Sequence, residues 1–166
     1  MKCTAYRITL LGVSVAAAMV LSYIETLIPL SIAVPGVKMG LANLVMVFLL
    51  YKLDWKHAAA VSIIRVLLTA LLFGNAASLA YSASGAALSL IVMSLLKGSG
   101  AFSSVGVSMA GAVSHNAGQI IMAVLLTGTR EIAWWLPPLI LSGIVTGLAI
   151  GAVGAVLISK IKLKTD

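Results

Sequence analysis

The chain has 166 residues, 61% of them hydrophobic and only 9% charged, with a mean hydropathy of +1.16. Soluble domains carry roughly a quarter charged residues, so this composition excludes a water-soluble globular reading and makes the bilayer its solvent. The net charge of +7 does not indicate nucleic acid, because the basic residues stand at segment ends and not in one stripe with interleaved aromatics. Cys3 is the single cysteine, which excludes an intrachain disulfide and a multi-cysteine metal site.

At about 20 apolar residues per span, the length admits about six transmembrane helices in one compact domain over residues 1–166. Lys2 and Arg7 precede an apolar run that continues too far for a signal peptide and reads as a retained first helix, Ile8 to Ile28, ended by Pro29. A loop with the turn dipeptide Pro35-Gly36 leads into a second run, Met39 to Tyr51, short for a full span. Lys52, Asp54 and Lys56 mark an aqueous connection before the third helix, Ala58 to Phe73, which is interrupted only by Arg65.

Gly74-Asn75 turns the chain into the fourth helix, Ser78 to Leu96. The loop around Gly98 to Ser104 is glycine- and serine-rich, and the fifth helix follows from Val105 to Leu126. After Trp134-Trp135, whose indoles suit the headgroup region, the sixth helix passes through Pro137-Pro138 and runs to Ile158. This model puts Lys2, Arg7, Lys52, Lys56, Lys97, Lys160, Lys162 and Lys164 on one side and only Lys38 and Arg130 on the other, which predicts cytoplasmic termini.

Helices in lipid associate through small residues that let backbones approach. The first helix carries Ser14, Ala18 and Ser22, with Gly12 and Ala16 as a second pair; the sixth carries Gly143, Gly147 and Gly151. The glycine ridge reads as packing inside the bundle, and the first-helix stripe as a surface for a partner.

Charged and strongly polar residues at membrane depth are expensive, and they usually face an interior cavity or a partner. Here they are Glu25, Lys38, Asn43, Arg65, Asn75, His115, Asn116 and Gln119. His115 and Gln119 are four apart on one helix face with Asn116 beside them, a pattern that suits either a binding site or interhelical hydrogen bonding. Arg65 and Lys38 suit a carboxylate or phosphate, arginine through its bidentate fork. With four acidic residues and no H-E-x-x-H, Walker, G-x-S-x-G or Asp-rich motif, the chain reads as non-catalytic and without a cofactor of its own.

Leu21-Ser22-Tyr23-Ile24-Glu25 ending at Pro29, Pro35-Gly36-Val37-Lys38-Met39-Gly40-Leu41-Ala42-Asn43-Leu44, Arg65 with Gly74, Tyr81-Ser82 with Gly85, and His115-Asn116-x-Gly118-Gln119 span nearly the whole chain. Through them the sequence resembles the Gx transporter or heptaprenyl diphosphate synthase component I family. That family is in turn similar to the substrate-binding S components of energy-coupling factor (ECF) transporters. The resemblance implies an all-α, six-helix S-component-like bundle in a prokaryotic plasma membrane. It implies a ligand bound toward the outer side, with Glu25, Lys38, Asn43 and Asn75 lining or covering the site and Arg65, His115 and Gln119 as its floor. It also implies docking of the first helix, through Ser14, Ala18 and Ser22, on an ECF coupling subunit with its ATPases. The synthase part of the family's description implies instead an accessory role beside a soluble polyprenyl diphosphate synthase, or in quinone-linked extracellular electron transfer.

Overall fold

The computed structural model describes residues 2–27 and 40–162. Among them are six α-helices: α1 (Lys2–Leu27), α2 (Asn43–Lys52), α3 (Trp55–Phe73), α4 (Ala76–Ser99), α5 (Ser104–Thr127) and α6 (Leu136–Lys160), with a 3₁₀ turn, Arg130–Trp135, before α6. Five are long and apolar enough to cross a bilayer. Their outward faces carry large aliphatic side chains such as Ile63, Leu67, Leu71, Leu125 and Val145, as a hydrocarbon medium requires. The chain is an all-α, multi-pass membrane bundle.

Six helices were expected, with the second short for a full span, and both hold. At ten residues α2 is about 15 Å long, half of the hydrocarbon thickness. Residues 40–42, which the hydropathy run includes, form a turn, because Gly40 has a φ of +90° and breaks the helix there. α2 survives at this length because it is hydrophobic all round and enclosed: Val45 through Leu50 are all buried, and Ala18, Ala58, Val61, Met93 and Val107 join them in the core. The Lys97 ammonium closes its C-terminal end, donating to the Leu50 carbonyl and lying 5.5 Å from the centre of the Tyr51 ring.

The other boundaries follow capping chemistry. The Asn75 side chain accepts from the Ser78 N–H, and the Ser78 hydroxyl accepts from the Asn75 N–H, a reciprocal capping box at the start of α4. Gly100 and Gly128, both at φ +68°, end α4 and α5. Asp54 caps α3 by accepting from the His57 N–H at 2.9 Å, and its carboxylate also meets His57 Nδ1 at 2.8 Å.

The backbone N–H of His57 is the main cause holding the Asp54 carboxyl below its ordinary value of 3.8, against a smaller effect of burial. A carboxylate with a depressed pKa in the folded state stabilises it fully above the ordinary value, and that contribution is lost as pH falls through the folded value. Asp54→Ala is expected to lower stability by about 1 kcal/mol at neutral pH. Asp54→Asn should keep most of the cap and remove this residue's share of the acid-side loss. Thermal unfolding in detergent from pH 7 to pH 3 checks both.

α5 is the centre of the bundle, with α4 and α6 packed on opposite sides. The ridge on α6 is spent inside the chain, as expected: a Cβ on Gly147 would lie 2.6 Å from Met109 Cα, and one on Gly151 2.8 Å from Val105 Cα. Gly143 meets Val113 in the same way, so three glycines at four-residue spacing run antiparallel to Val105, Met109 and Val113. On the other side Gly118 lies against Ser84 and Gly85 of α4, and the Ser84 hydroxyl donates to the Gly118 carbonyl at 2.8 Å.

α1 is peripheral. Among the described residues it packs against α2 and α3 alone, with the Tyr23 and Phe73 rings 4.9 Å apart near its C-terminal end. Its expected partner-docking stripe faces inward: Ser14, Ala18 and Ser22 are all buried against the bundle. The reason is the polar load on this face, since Ser22 must reach Arg65 and Ala18 is part of the core. Gly12 and Ala16 are among the small residues on the outward face.

Candidate functional site

The polar residues converge where the C-terminal end of α1, the turn before α2, the middle of α3 and the second half of α5 meet. Glu25 is 8% exposed, and its Oε1 accepts from the backbone N–H of Gly40 and, at 2.6 Å, from that of Leu41. Those amides are free to donate because they belong to the turn before α2 and have no carbonyl of a preceding helical turn to bond. Asn43 follows on the first turn of α2, 2% exposed, with its Nδ2 turned toward Gly40: a Cβ on Gly40 would lie 3.0 Å from that nitrogen and 3.4 Å from His115 Cδ2.

His115 and Gln119 of α5 are both buried and meet through Nε2 and Nε2 at 2.9 Å, as their four-residue spacing predicts. Gly85 of α4 gives them room, because a Cβ there would lie 3.0 Å from His115 Cε1 and 2.9 Å from Gln119 Cγ. The imidazole is therefore held between Gly40 on one side and Gly85 on the other.

Arg65 enters from α3. It is 4% exposed, and its Nη1 donates to the Ser22 hydroxyl at 3.1 Å. Ser22 lies three residues before Glu25 on the same helix. The Glu25 and Arg65 charges are close enough to interact. Arg65 Nε and Nη2 are buried without a hydrogen-bond partner among the described residues, as is Thr69 Oγ1 one turn further along α3. The Nε and Nη2 edge is the side of a guanidinium that receives two oxygens of a carboxylate or phosphate at once.

The structure thus brings Glu25, Asn43, Arg65, His115 and Gln119 to one region. It separates two others. Asn116 is fully buried but points to α6, where its Nδ2 donates to the Leu139 carbonyl at 2.7 Å, because consecutive helical residues diverge by about 100°. Asn75 is exposed and engaged in the α4 capping box, ten residues before Gly85 and so about 15 Å along the axis. Lys38 lies outside the described residues. Sequence reasoning missed the amides of Gly40 and Leu41, the role of Ser22, and Thr69. The one available signal was spacing: Ser22 precedes Glu25 by three residues and Thr69 follows Arg65 by four.

A separate cleft of about 350 Å³ opens between α3 and α4, walled by Ala59, Val66, Leu79, Ala83 and Leu90 with Ser62 as its polar member. Among the described residues no group of three or more His, Cys, Asp or Glu side chains is placed to hold a metal ion.

The family model described as Heptaprenyl diphosphate synthase component I matches residues 14–157. No curated protein and no solved structure matches the chain.

Proposed function

Because the chain belongs to the heptaprenyl diphosphate synthase component I family, we propose that it is a non-catalytic membrane subunit whose polar interior binds an anionic or amphipathic ligand taken from the outer side. The observation that carries this reading is the Nε and Nη2 edge of Arg65, buried and without a hydrogen-bond partner among the described residues. A guanidinium at membrane depth is expensive, and two of its three nitrogens left unmatched among the described residues is a poor arrangement for a purely structural role. An oxyanion in reach of that edge supplies both charge and acceptors. His115, Gln119 and Asn43 add neutral polar groups that orient a ligand without adding charge.

Native mass spectrometry of the mildly solubilised protein from its own membrane tests this. The wild type is expected to carry a small anionic molecule that is absent from Arg65→Leu. An empty wild type, or a ligand retained equally by the variant, would sink the reading.

The family's description favours a second reading on the partner side, an accessory subunit retained with a polyprenyl diphosphate synthase. A transporter-type subunit would instead need a coupling subunit and ATPase, since this sequence has no nucleotide-binding loop. Such a subunit would meet the outward face of α1, around Gly12 and Ala16, because Ser14, Ala18 and Ser22 are buried. Proteins that copurify in the same spectra decide between the two.

Both readings place the cluster in the outer half of a cell membrane with cytoplasmic termini. Single cysteines introduced at Ser99 and Thr129 in a Cys3→Ser chain test the orientation. An impermeant maleimide applied to intact cells should label position 129 and spare position 99; the reverse pattern would invert the topology.

A further inference from the structure

The Glu25 carboxylate does not simply balance Arg65. It sits in a small set of donors: the N–H groups of Gly40 and Leu41, with Asn43 Nδ2 turned toward the same glycine. Gly40 is in a positive-φ conformation, and the turn it forms leads directly into the N-terminus of the ten-residue α2, so successive amides converge with the favourable end of the helix dipole. Asn43 is 2% exposed and its Nδ2 has no hydrogen-bond partner among the described residues. The site has more donors than Oε1 takes up, and a larger oxyanion would engage the extra ones.

We propose that Gly40, Leu41 and Asn43 form an oxyanion site that Glu25 occupies as a tethered stand-in, and that an incoming phosphate or carboxylate group displaces it. This rests on the ligand-binding reading above and adds how the site is held closed. α1 is suited to the motion, because among the described residues it packs on α2 and α3 alone, and Glu25 helps to hold its C-terminal end together with the Ser22 to Arg65 bond and the contact between Tyr23 and Phe73. Release of Glu25 loosens that end while the packed pairs of α4, α5 and α6 stay intact. An anion with more oxygens than one carboxylate then reaches the two amides, Asn43 Nδ2 and the open Arg65 edge together.

A tethered competitor lowers apparent affinity by the fraction of molecules in which it holds the site. Glu25→Gln keeps the shape, removes the charge and weakens the bonds to the amides. Inorganic pyrophosphate and succinate serve as phosphate and carboxylate probes, with binding read by calorimetry on detergent-solubilised full-length protein. Glu25→Gln is expected to bind at least one probe about tenfold or more tightly than the wild type. Adding Asn43→Leu to Glu25→Gln should remove that gain. Helical circular dichroism and monodisperse elution check that the variants fold.

A second measurement keeps Glu25 intact. Spin labels at Leu27→Cys on α1 and Leu71→Cys on α3, both exposed positions, in a Cys3→Ser chain, report the distance between the helices. Addition of the bound probe should shift that distance. If the wild type binds a probe but Glu25→Gln gains nothing and the labels do not move, displacement is overturned while the Arg65 reading stands. If neither probe binds either protein, both are overturned.

Discussion

Arg65→Leu is expected to give a folded, fully helical protein that has lost its anion. Arg65 interacts with the buried Glu25, so removing it alone leaves that carboxylate without its cation, a change that destabilises a buried pair; the Gly40 and Leu41 N–H groups still donate to Glu25 and limit the cost. The change removes one hydrogen bond to Ser22, whose hydroxyl can turn to a carbonyl of its own helix. The thermal midpoint without ligand should therefore fall by several degrees while the protein stays folded.

Binding should fall as well. Losing one partner of a buried charged contact removes about 2–5 kcal/mol, or roughly thirtyfold or more in affinity. Arg65→Lys should fall between, since it keeps the charge and loses the two-pronged geometry. A purely structural arginine predicts the same fall in stability with binding unchanged. Paired thermal and calorimetric titrations on the three proteins separate the two.

The second large effect is at the crossing of α4 and α5. Gly118→Val would place a Cβ 2.8 Å from the Ser84 carbonyl oxygen and 2.9 Å from Gly85 Cα. Both neighbours are backbone, so neither can withdraw by a rotamer change, and the two helices must separate. Overpacking of this kind costs about 1–3 kcal/mol, and the upper end is expected here because the Ser84 bond to the Gly118 carbonyl is strained by the same shift. Gly85 also makes room for His115 and Gln119, so ligand binding should weaken with the fold. Gly12→Val is the control: nothing lies within 4 Å of a Cβ there, and stability should change by less than about 0.5 kcal/mol. Unfolding by a denaturing detergent measures both, and equal effects at the two glycines would refute this account of the packing.

The two glycine positions also mark the limit of what periodicity reveals. The ridge Gly143, Gly147 and Gly151 was legible because four-residue spacing puts it on one face. The contact of Gly118 with Gly85 joins residues on two helices, and no spacing within either predicts it. The five long spans, their approximate ends, the scarcity of acidic residues and the inventory of polar residues at membrane depth followed from residue chemistry alone. Each depends only on local transfer free energy, helix geometry and the rule that buried charge needs a partner.

The partners themselves depended on how helices distant in sequence face one another. Rotation about its axis decided that Ser14, Ala18 and Ser22 turn inward and leave Gly12 and Ala16 outside. It also sent Asn116 to Leu139 while its neighbour His115 turned to Gly40 and Gly85. The run Met39 to Tyr51 already read as short for a span; the glycine turn that trims it to Asn43–Lys52 and its enclosure on all sides came from the tertiary structure. Glu25 found backbone amides because the turn before α2 left them without carbonyls, and those amides are invisible in a sequence: every residue but proline has one, and only the fold determines which are left to bind.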